Sequence, residues 1–399
     1  MCGSSLTKSR LRLAALVLAL ASALTLAPAG LRAAEPAAPT GEPIRLAALF
    51  NQTGAFASID GPGLAGARLK VKLLNQAGGV LGRPLTLLAP DTKSDPREAA
   101  RVAEEVVKEG ITAGVGYGDS DYAIAVGPAF QDAGIPFVSS GATLPSLPSR
   151  IGDYMFLAAF GDNDQAWAMA GYLYERLGVR RVAVWTDQAA DYTRMLAHYF
   201  RQAFRQRGGE VVYEDAYAHG EKDFTPLIQR LTTRARTAQA LFTASLPEEA
   251  GFIVREVREA GWELPLASGD GFDTPLLVQE AGPRLAHGVY FSTHAFRSET
   301  EPRVLAFRQD YAQAFGQPPD SAFAALGFDT VGLVADAIGR AGSSDPARVR
   351  RALAATRSYQ GVTGLISYNR PGRVPLKPVA IVEVEHGQLH ETGLWGPGL

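Results

Sequence analysis

Residues 111–143 read ITAGVGYGDSDYAIAVGPAFQDAGIPFVSSGAT. The apolar stretch 111–115 predicts a buried strand, and Gly114, Gly116 and Gly118 predict a tight turn after it. A helix is expected from about Tyr122 to Ala133, and 135–139 predicts a second strand that ends in another turn of small residues. Strand, helix and strand in this order predict parallel pairing, with the helix crossing over one face of the sheet.

The same rhythm runs outward from this unit. Upstream, 44–50 and 85–89 read as strands, and Leu64, Ala67, Val71 and Leu74 recur at helical spacing until Gly78-Gly79. Asp95-Pro96-Arg97-Glu98 predicts a helix start, with Asp95 as cap, Pro96 in the first turn and Glu98 closing a capping box. Downstream of Asp162, strands are expected at 182–185, 210–213, 240–243, 264–268 and 289–292. Helices are expected near 191–207, 224–234, 247–260 and 273–281, then at 301–315 and 321–340, before a final strand pair at 363–368 and 378–385. Nine strands before residue 293 are too many for one comfortable sheet. The pattern therefore divides into two doubly wound α/β lobes with several crossings between them, and ligands in such sheets sit at strand C-termini.

Composition narrows the function. A length of 399 residues favours two domains, and 46% hydrophobic with 20% charged residues is the profile of a globular protein. A net charge of −2 supplies no basic field for nucleic acid, so no nucleic-acid partner is expected. The single cysteine, Cys2, lies in a segment that reads as an export signal. There Lys8, Arg10 and Arg12 precede an apolar run at 13–27, and Ala27-Pro28-Ala29 or Leu31-Arg32-Ala33 offers a cleavage site. The run is shorter than the ~20 residues that span a bilayer. Residues 1–33 are thus expected to be a cleaved signal peptide and 34–43 (AEPAAPTGEP) a linker. The mature chain would then have no disulfide, thiolate ligand or cysteine nucleophile.

Several turns could carry chemistry. Gly114-Val115-Gly116-Tyr117-Gly118 departs from the dinucleotide spacing G-x-G-x-x-G, because position 119 is Asp, and presents Tyr117 and Ser120 to a cleft instead. In Ser139-Ser140-Gly141-Ala142-Thr143, consecutive N–H groups beside hydroxyls suit a carboxylate, although a plain hydroxyl-rich loop reads the same way. Asp270 sits between glycines at a strand end, where it could hold a cation, and Asp273 is expected to cap the next helix. Tyr192 follows the 182–185 strand and puts a ring at the mouth of the second lobe or packs locally. His386 and His390 are not spaced as a helical metal pair, and His294 reads as structural, so no metal or other cofactor is expected. With no nucleophile elbow G-x-S-x-G, catalysis is not expected.

These residues resemble the branched-chain amino-acid (Leu/Ile/Val) binding proteins, the type I periplasmic substrate-binding proteins of ABC importers. The resemblance covers 44–385. It is carried by Gly66-Ala67, the Asn75 to Gly82 stop, Asp91 with Asp95-Pro96, Gly116 to Ser120, Gln131 to Pro136, Gly141-Ala142-Thr143, Ser268 to Gly271 and Gly361 to Gly364. It implies two Rossmann-like lobes joined by a multi-strand hinge, 44–161 plus 294–369 as one and 162–293 plus 370–399 as the other. It also implies that Ser120, Ala142 and Thr143 surround a ligand α-carboxylate and that Asp270 pairs with the α-ammonium. Tyr192 and Tyr117 would wall the side-chain pocket, and Ile59, on the turn after the first strand, would add an apolar contact. Three departures stand out: Leu246 lies nearest to the family's cleft tyrosine, Thr193 follows Tyr192 where glycine is usual, and position 270 carries the shorter acid. The expected protein is a periplasmic monomer that delivers a small carboxylate-bearing ligand, an aliphatic amino acid first, to an inner-membrane permease. A periplasmic sensor of the same fold, or an importer protein for an aromatic carboxylate or amide, is the alternative.

Overall fold

The structure is a computed structural model in which residues 38–295, 301–369 and 372–396 are described. The first sheet has five strands: β1 (Ile44–Leu49), β2 (Leu85–Leu88), β3 (Ala113–Gly116), β4 (Phe137–Ser139) and β5 (Met155–Leu157). They pair in the order β2-β1-β3-β4-β5, every pair parallel. Between them run α1 (Ala57–Gln76), α2 (Pro96–Val106), α3 (Ser120–Ala133) and α4 (Leu147–Ile151). Strand period explains the layers. Leu46 and Ala48 face Leu64 and Ala67 of α1, whereas Ala47 and Leu49 face Val102 of α2 and Val126 of α3.

The second sheet repeats the plan. It holds β6 (Arg181–Asp187), β7 (Glu210–Tyr217), β8 (Ala240–Ala244), β9 (Leu266–Ser268) and β10 (Val289–Thr293), interleaved with α5 (Asp162–Gly171), α6 (Asp191–Gln206), α7 (Thr225–Arg234), α8 (Pro247–Glu259) and α9 (Leu276–Ala281). After β10 come α10 (Pro302–Phe315), α11 (Phe323–Ala341), α12 (Pro346–Ala354) and a hairpin of β11 (Tyr359–Gly361) and β12 (Gly364–Ile366). β13 (Val379–Glu385) and β14 (Gln388–Trp395) then complete the order β14-β13-β10-β9-β8-β6-β7. The parallel part runs β7-β6-β8-β9-β10, the same winding as the first sheet. In both, the winding reverses beside the first strand, β1 or β6, and the loops after that strand and its inner neighbours form the ligand-binding crevice of such sheets. Val331 and Val334 of α11 join the face of the first sheet that α1 covers, so the late chain returns to the first lobe.

Several expectations are corrected. Segments 363–368 and 378–385 do not pair with each other. β12 is a short strand with Leu365 41% exposed, whereas the buried run of β13 inserts beside β10. β5 and β14 were not anticipated: one has three residues, and the other is a largely exposed edge whose polar residues carry little strand signal. Asp95 caps α2 as expected, accepting from Arg97 N–H at 2.8 Å, but Glu98 turns outward to Arg101 and closes no capping box. Asp273 does not cap α9, which starts after Pro275. Its Oδ2 accepts from Thr293 Oγ1 (2.6 Å) and Ala322 N–H (3.0 Å), tying the end of β10 to the start of α11. The export signal lies outside the described residues. Among those described, no helix is long and apolar enough to cross a membrane.

Candidate functional site

Each residue singled out in the sequence follows the C-terminal end of an inner strand. Ile59 comes after β1, Tyr117 and Ser120 after β3, Ala142 and Thr143 after β4, Tyr192 after β6, Leu246 after β8 and Asp270 after β9. All eight are buried. The two lobes touch around them. Arg150 of α4 pairs with Asp191 of α6 at 2.7 Å, and the Asp191 N–H reaches Asp121 Oδ1 at 3.3 Å. Asp162 N–H donates to Thr143 carbonyl oxygen at 2.7 Å where the chain enters the second lobe.

On the first lobe, Asp60 organises the wall. Its Oδ2 accepts from Asn51 N–H (2.9 Å) and Asn51 Nδ2 (2.8 Å), and its Oδ1 accepts from Gly118 N–H (2.7 Å). This fixes the turn between β3 and α3. Gly116 has φ +156 and lies so close to β1 that a Cβ there would sit 1.8 Å from Leu49 carbonyl oxygen. The second turn is bonded onto the first: Ser140 N–H donates to Gly116 carbonyl oxygen (2.8 Å) and Gly141 N–H to Tyr117 carbonyl oxygen (3.0 Å). Ala142 N–H takes Ser139 Oγ at 3.2 Å, and Leu144 N–H takes Ser120 Oγ at 3.2 Å. The expected row of free N–H groups at 140–142 is therefore absent, because the turn spends them holding itself against β3. What the wall still offers is hydroxyl groups. The Ser120 hydroxyl hydrogen remains available, and Ser140 Oγ is buried without a partner among the described residues.

Two expectations about side chains change here. Ile59 lies in the first turn of α1, not on a preceding loop, and reaches toward Gly118 beside Phe323. The Tyr117 ring does not stand as a pocket wall. It is stacked on Tyr122 (centroids 5.4 Å apart) and tilted against Phe137 (6.4 Å), as a core aromatic. The first-lobe surface is instead closed by Phe323 at the start of α11, whose ring approaches Gly118 and Gly141 so closely that a Cβ at either would collide with it. Nothing in the local sequence around Phe323 marks this role, because only the return of α11 to the first sheet places it there.

On the second lobe, Asp270 is held from three sides. Its Oδ1 accepts from Tyr192 hydroxyl (2.8 Å) and Gln165 Nε2 (2.8 Å), and its Oδ2 meets His294 Nε2 at 2.8 Å. Gln165 Oε1 in turn accepts from Asp270 N–H (3.0 Å) and Ser292 Oγ (2.6 Å), and Tyr192 hydroxyl accepts from Gly271 N–H (3.1 Å). The His294 ring lies on Phe160, with centroids 3.9 Å apart. His294 sits at one crossing and Gln165 just after another, so they are assembled with Asp270 only when the lobes are wound together. In the sequence alone His294 reads as structural, and nothing local marks Gln165. Asp162 lies in the same buried group. Burial, reinforced by the Asp270 charge, pushes its carboxyl well above the ordinary range.

The buried acids of the first lobe make stability depend on pH. Burial raises Asp60 from 3.8 to about 7 against the pull of its three N–H donors, and burial followed by the Asp121 charge raises Asp119 as well. A carboxyl that holds its proton more tightly folded than unfolded makes the native state the better proton binder between the two values. Stability then falls as pH rises through that window. His219, raised from 6.5 to about 10 by Asp187 and Glu249, adds to the fall from its lower bound upward. Asp91 and Asp191 are held low, so their contributions disappear only below 3.8. The unfolding midpoint is expected to be highest near about pH 4, where these windows open, and to decline to about pH 8, with Asp60→Asn flattening the lower part of that slope. A midpoint that rises over this range contradicts the assignment.

Comparisons with known proteins bear on the family and the fold. A family model described as "Periplasmic binding protein" matches residues 43–388. The chain is similar to the Leu/Ile/Val-binding protein homolog 3 of Brucella melitensis, 27% identical over 346 residues, covering 84% of this chain and 92% of the relative. It is also similar in structure to the branched-chain amino acid transporter substrate-binding protein LivJ of Streptococcus pneumoniae in complex with isoleucine. The TM-score is 0.84 at 29% identity, over 89% of this chain and 100% of that one. A solute-binding protein of R. palustris in complex with benzoate shares the fold at TM-score 0.79 and 19% identity, over 90% of this chain and 98% of that one.

Proposed function

This chain belongs to the periplasmic binding protein family, and from that premise we propose that it captures an aliphatic α-amino acid between its lobes and presents it to an ABC permease in the inner membrane. Lobe 1 is then 44–161 with 294–369, and lobe 2 is 162–293 with 370–399. The observation that carries the reading is a buried carboxylate, Asp270, on one lobe, set against the hydroxyl-bearing turns of Ser120 and Thr143 on the other, with Ile59, Leu246 and Tyr192 supplying buried apolar surface. Hydroxyl donors suit an α-carboxylate, and a carboxylate suits an α-ammonium, through charge-assisted hydrogen bonds. A zwitterion gains both sets of contacts only when the lobes close. Binding therefore shifts the population toward the closed form, and the crossings near 160–163 and 292–295 act as hinge; the third expected crossing, 368–372, includes residues that lie outside the described ones. The closed form is the one the permease would recognise.

One observation favours a second reading. Asp270 already receives Tyr192, Gln165 and His294, leaving it at most one free acceptor position on Oδ2. A ligand without an ammonium, such as an aromatic carboxylate or an amide, would leave that network undisturbed. Thermal unfolding against leucine, isoleucine, valine, benzoate, urea and short amides separates the two. A ligand at ~100 times its dissociation constant adds about 2.7 kcal/mol of stability. An aliphatic amino acid is expected to give the shift. A shift with benzoate alone would remove the ammonium role of Asp270, and no shift with any amino acid would overturn the proposal.

A further inference from the structure

We propose that Asp187, His219 and Glu249 form a binding site for a divalent metal ion of the zinc type on the rim of the second lobe, independent of the amino-acid site. Asp187 ends β6, His219 lies just past β7, and Glu249 lies in the first turn of α8, which follows β8. These three strands are neighbours in the order β7-β6-β8, so their C-terminal ends bring together residues far apart in sequence. No spacing motif could have shown the group.

The geometry suits a metal. His219 Nδ1 lies 2.9 Å from Glu249 Oε1 and 3.5 Å from Asp187 Oδ2, and one donor atom from each residue falls within 4.8 Å of the others. Zinc bonds of about 2.0 Å at tetrahedral angles hold neighbouring donors about 3.3 Å apart, so small side-chain movements suffice. The outer contacts are those that orient metal ligands: Asp187 Oδ1 accepts from Ala189 N–H (2.8 Å), and Glu249 Oε1 accepts from Gly220 N–H (2.8 Å). The His219 side chain is 32% exposed, which leaves an entry path, and Phe56 of the first lobe faces its ring at 6.3 Å.

A plain ion pair does not account for the group. Asp187 and Glu249 are 0% and 1% exposed, yet Asp187 Oδ2 and Glu249 Oε2 are buried with no hydrogen-bond partner among the described residues. His219 Nδ1 lies near both Glu249 Oε1 and Asp187 Oδ2, and its single hydrogen cannot satisfy both carboxylates. Glu248 Oε1, 3.8 Å from His219 Nε2 and also without a hydrogen bond, brings a third carboxylate to one imidazole. A divalent cation supplies the missing charge and takes up the orphaned oxygens. Three protein donors would leave a fourth position open for water.

The test uses the whole chain without an affinity tag, stripped with a chelator and titrated with zinc chloride alone in a calorimeter. One equivalent is expected to bind. His219→Ala and Glu249→Gln should each weaken binding by roughly 100-fold, the upper end of what even outer-shell losses cost. Circular dichroism confirms folding, and if His219→Ala does not fold, the isosteric Glu249→Gln decides. Absence of zinc binding in the natural chain, or binding of equal strength in a folded variant, overturns the proposal.

Discussion

Asp270→Asn is expected to lower the affinity for leucine or isoleucine by about 100-fold, the upper part of the ~1.5–3 kcal/mol carried by a hydrogen bond to a charged group, while leaving any ligand without an ammonium unaffected. Asparagine has the shape of aspartate, so the loss reports charge rather than space. The surrounding network can accept the change. Tyr192 and Gln165 still find an oxygen at the Oδ1 position. The new amide hydrogens face His294 Nε2, and His294 Nδ1 has no partner among the described residues. The imidazole can therefore move its hydrogen to Nδ1 and accept at Nε2 without giving up another bond. Folding should survive, and calorimetric titration of the folded variant with an amino acid reads the anchor directly. Unchanged affinity would mean that the ammonium lies elsewhere and that the proposed orientation is wrong.

How much of this was visible in the chain depends on range. The strand–turn–helix unit around 111–139 was legible because apolar period and glycine placement are local signals, and the eight candidate positions all fell after inner strands for the same reason. Their partners were not. Gln165 and His294 meet Asp270 only through two crossings, and Phe323 reaches Gly118 and Gly141 only because α11 returns to the first sheet. Tyr117 was misread because a residue in a strand-end turn was assumed to face the cleft. Its φ of +52, beside Gly116, turns the ring back among Tyr122 and Phe137. The turn at 139–143 was misjudged for a related reason. Its N–H groups look free when the loop is read alone, but β3 stands next to β4, so the Gly116 and Tyr117 carbonyl groups accept those of Ser140 and Gly141, and Ser139 Oγ accepts that of Ala142.

The return of α11 is also where the largest loss of stability is expected. Gly327→Ala would place a Cβ 1.9 Å from Gly63 carbonyl oxygen on α1, and Gly66→Ala would place one 1.8 Å from Ala324 carbonyl oxygen on α11. In both cases the obstacle is helix backbone, so no side chain can swing aside and the two helices must separate. Overpacking of this kind costs about 1–3 kcal/mol and occasionally more, and the rigid obstacle puts Gly327→Ala at the upper end. Gly339→Ala in the same helix has nothing within 4 Å of the new Cβ. It should instead stabilise by about 0.5–1 kcal/mol through helix propensity and lost unfolded-state freedom. Denaturant unfolding of the two variants should therefore move in opposite directions. If Gly327→Ala matched Gly339→Ala, the close crossing of α1 and α11 would be wrong. The consequence reaches the cleft, because Phe323 begins α11 and closes the first-lobe wall against Gly118 and Gly141. A helix pushed off α1 carries that ring with it, so Gly327→Ala should weaken ligand binding as well as stability, whereas Gly339→Ala should leave binding unchanged.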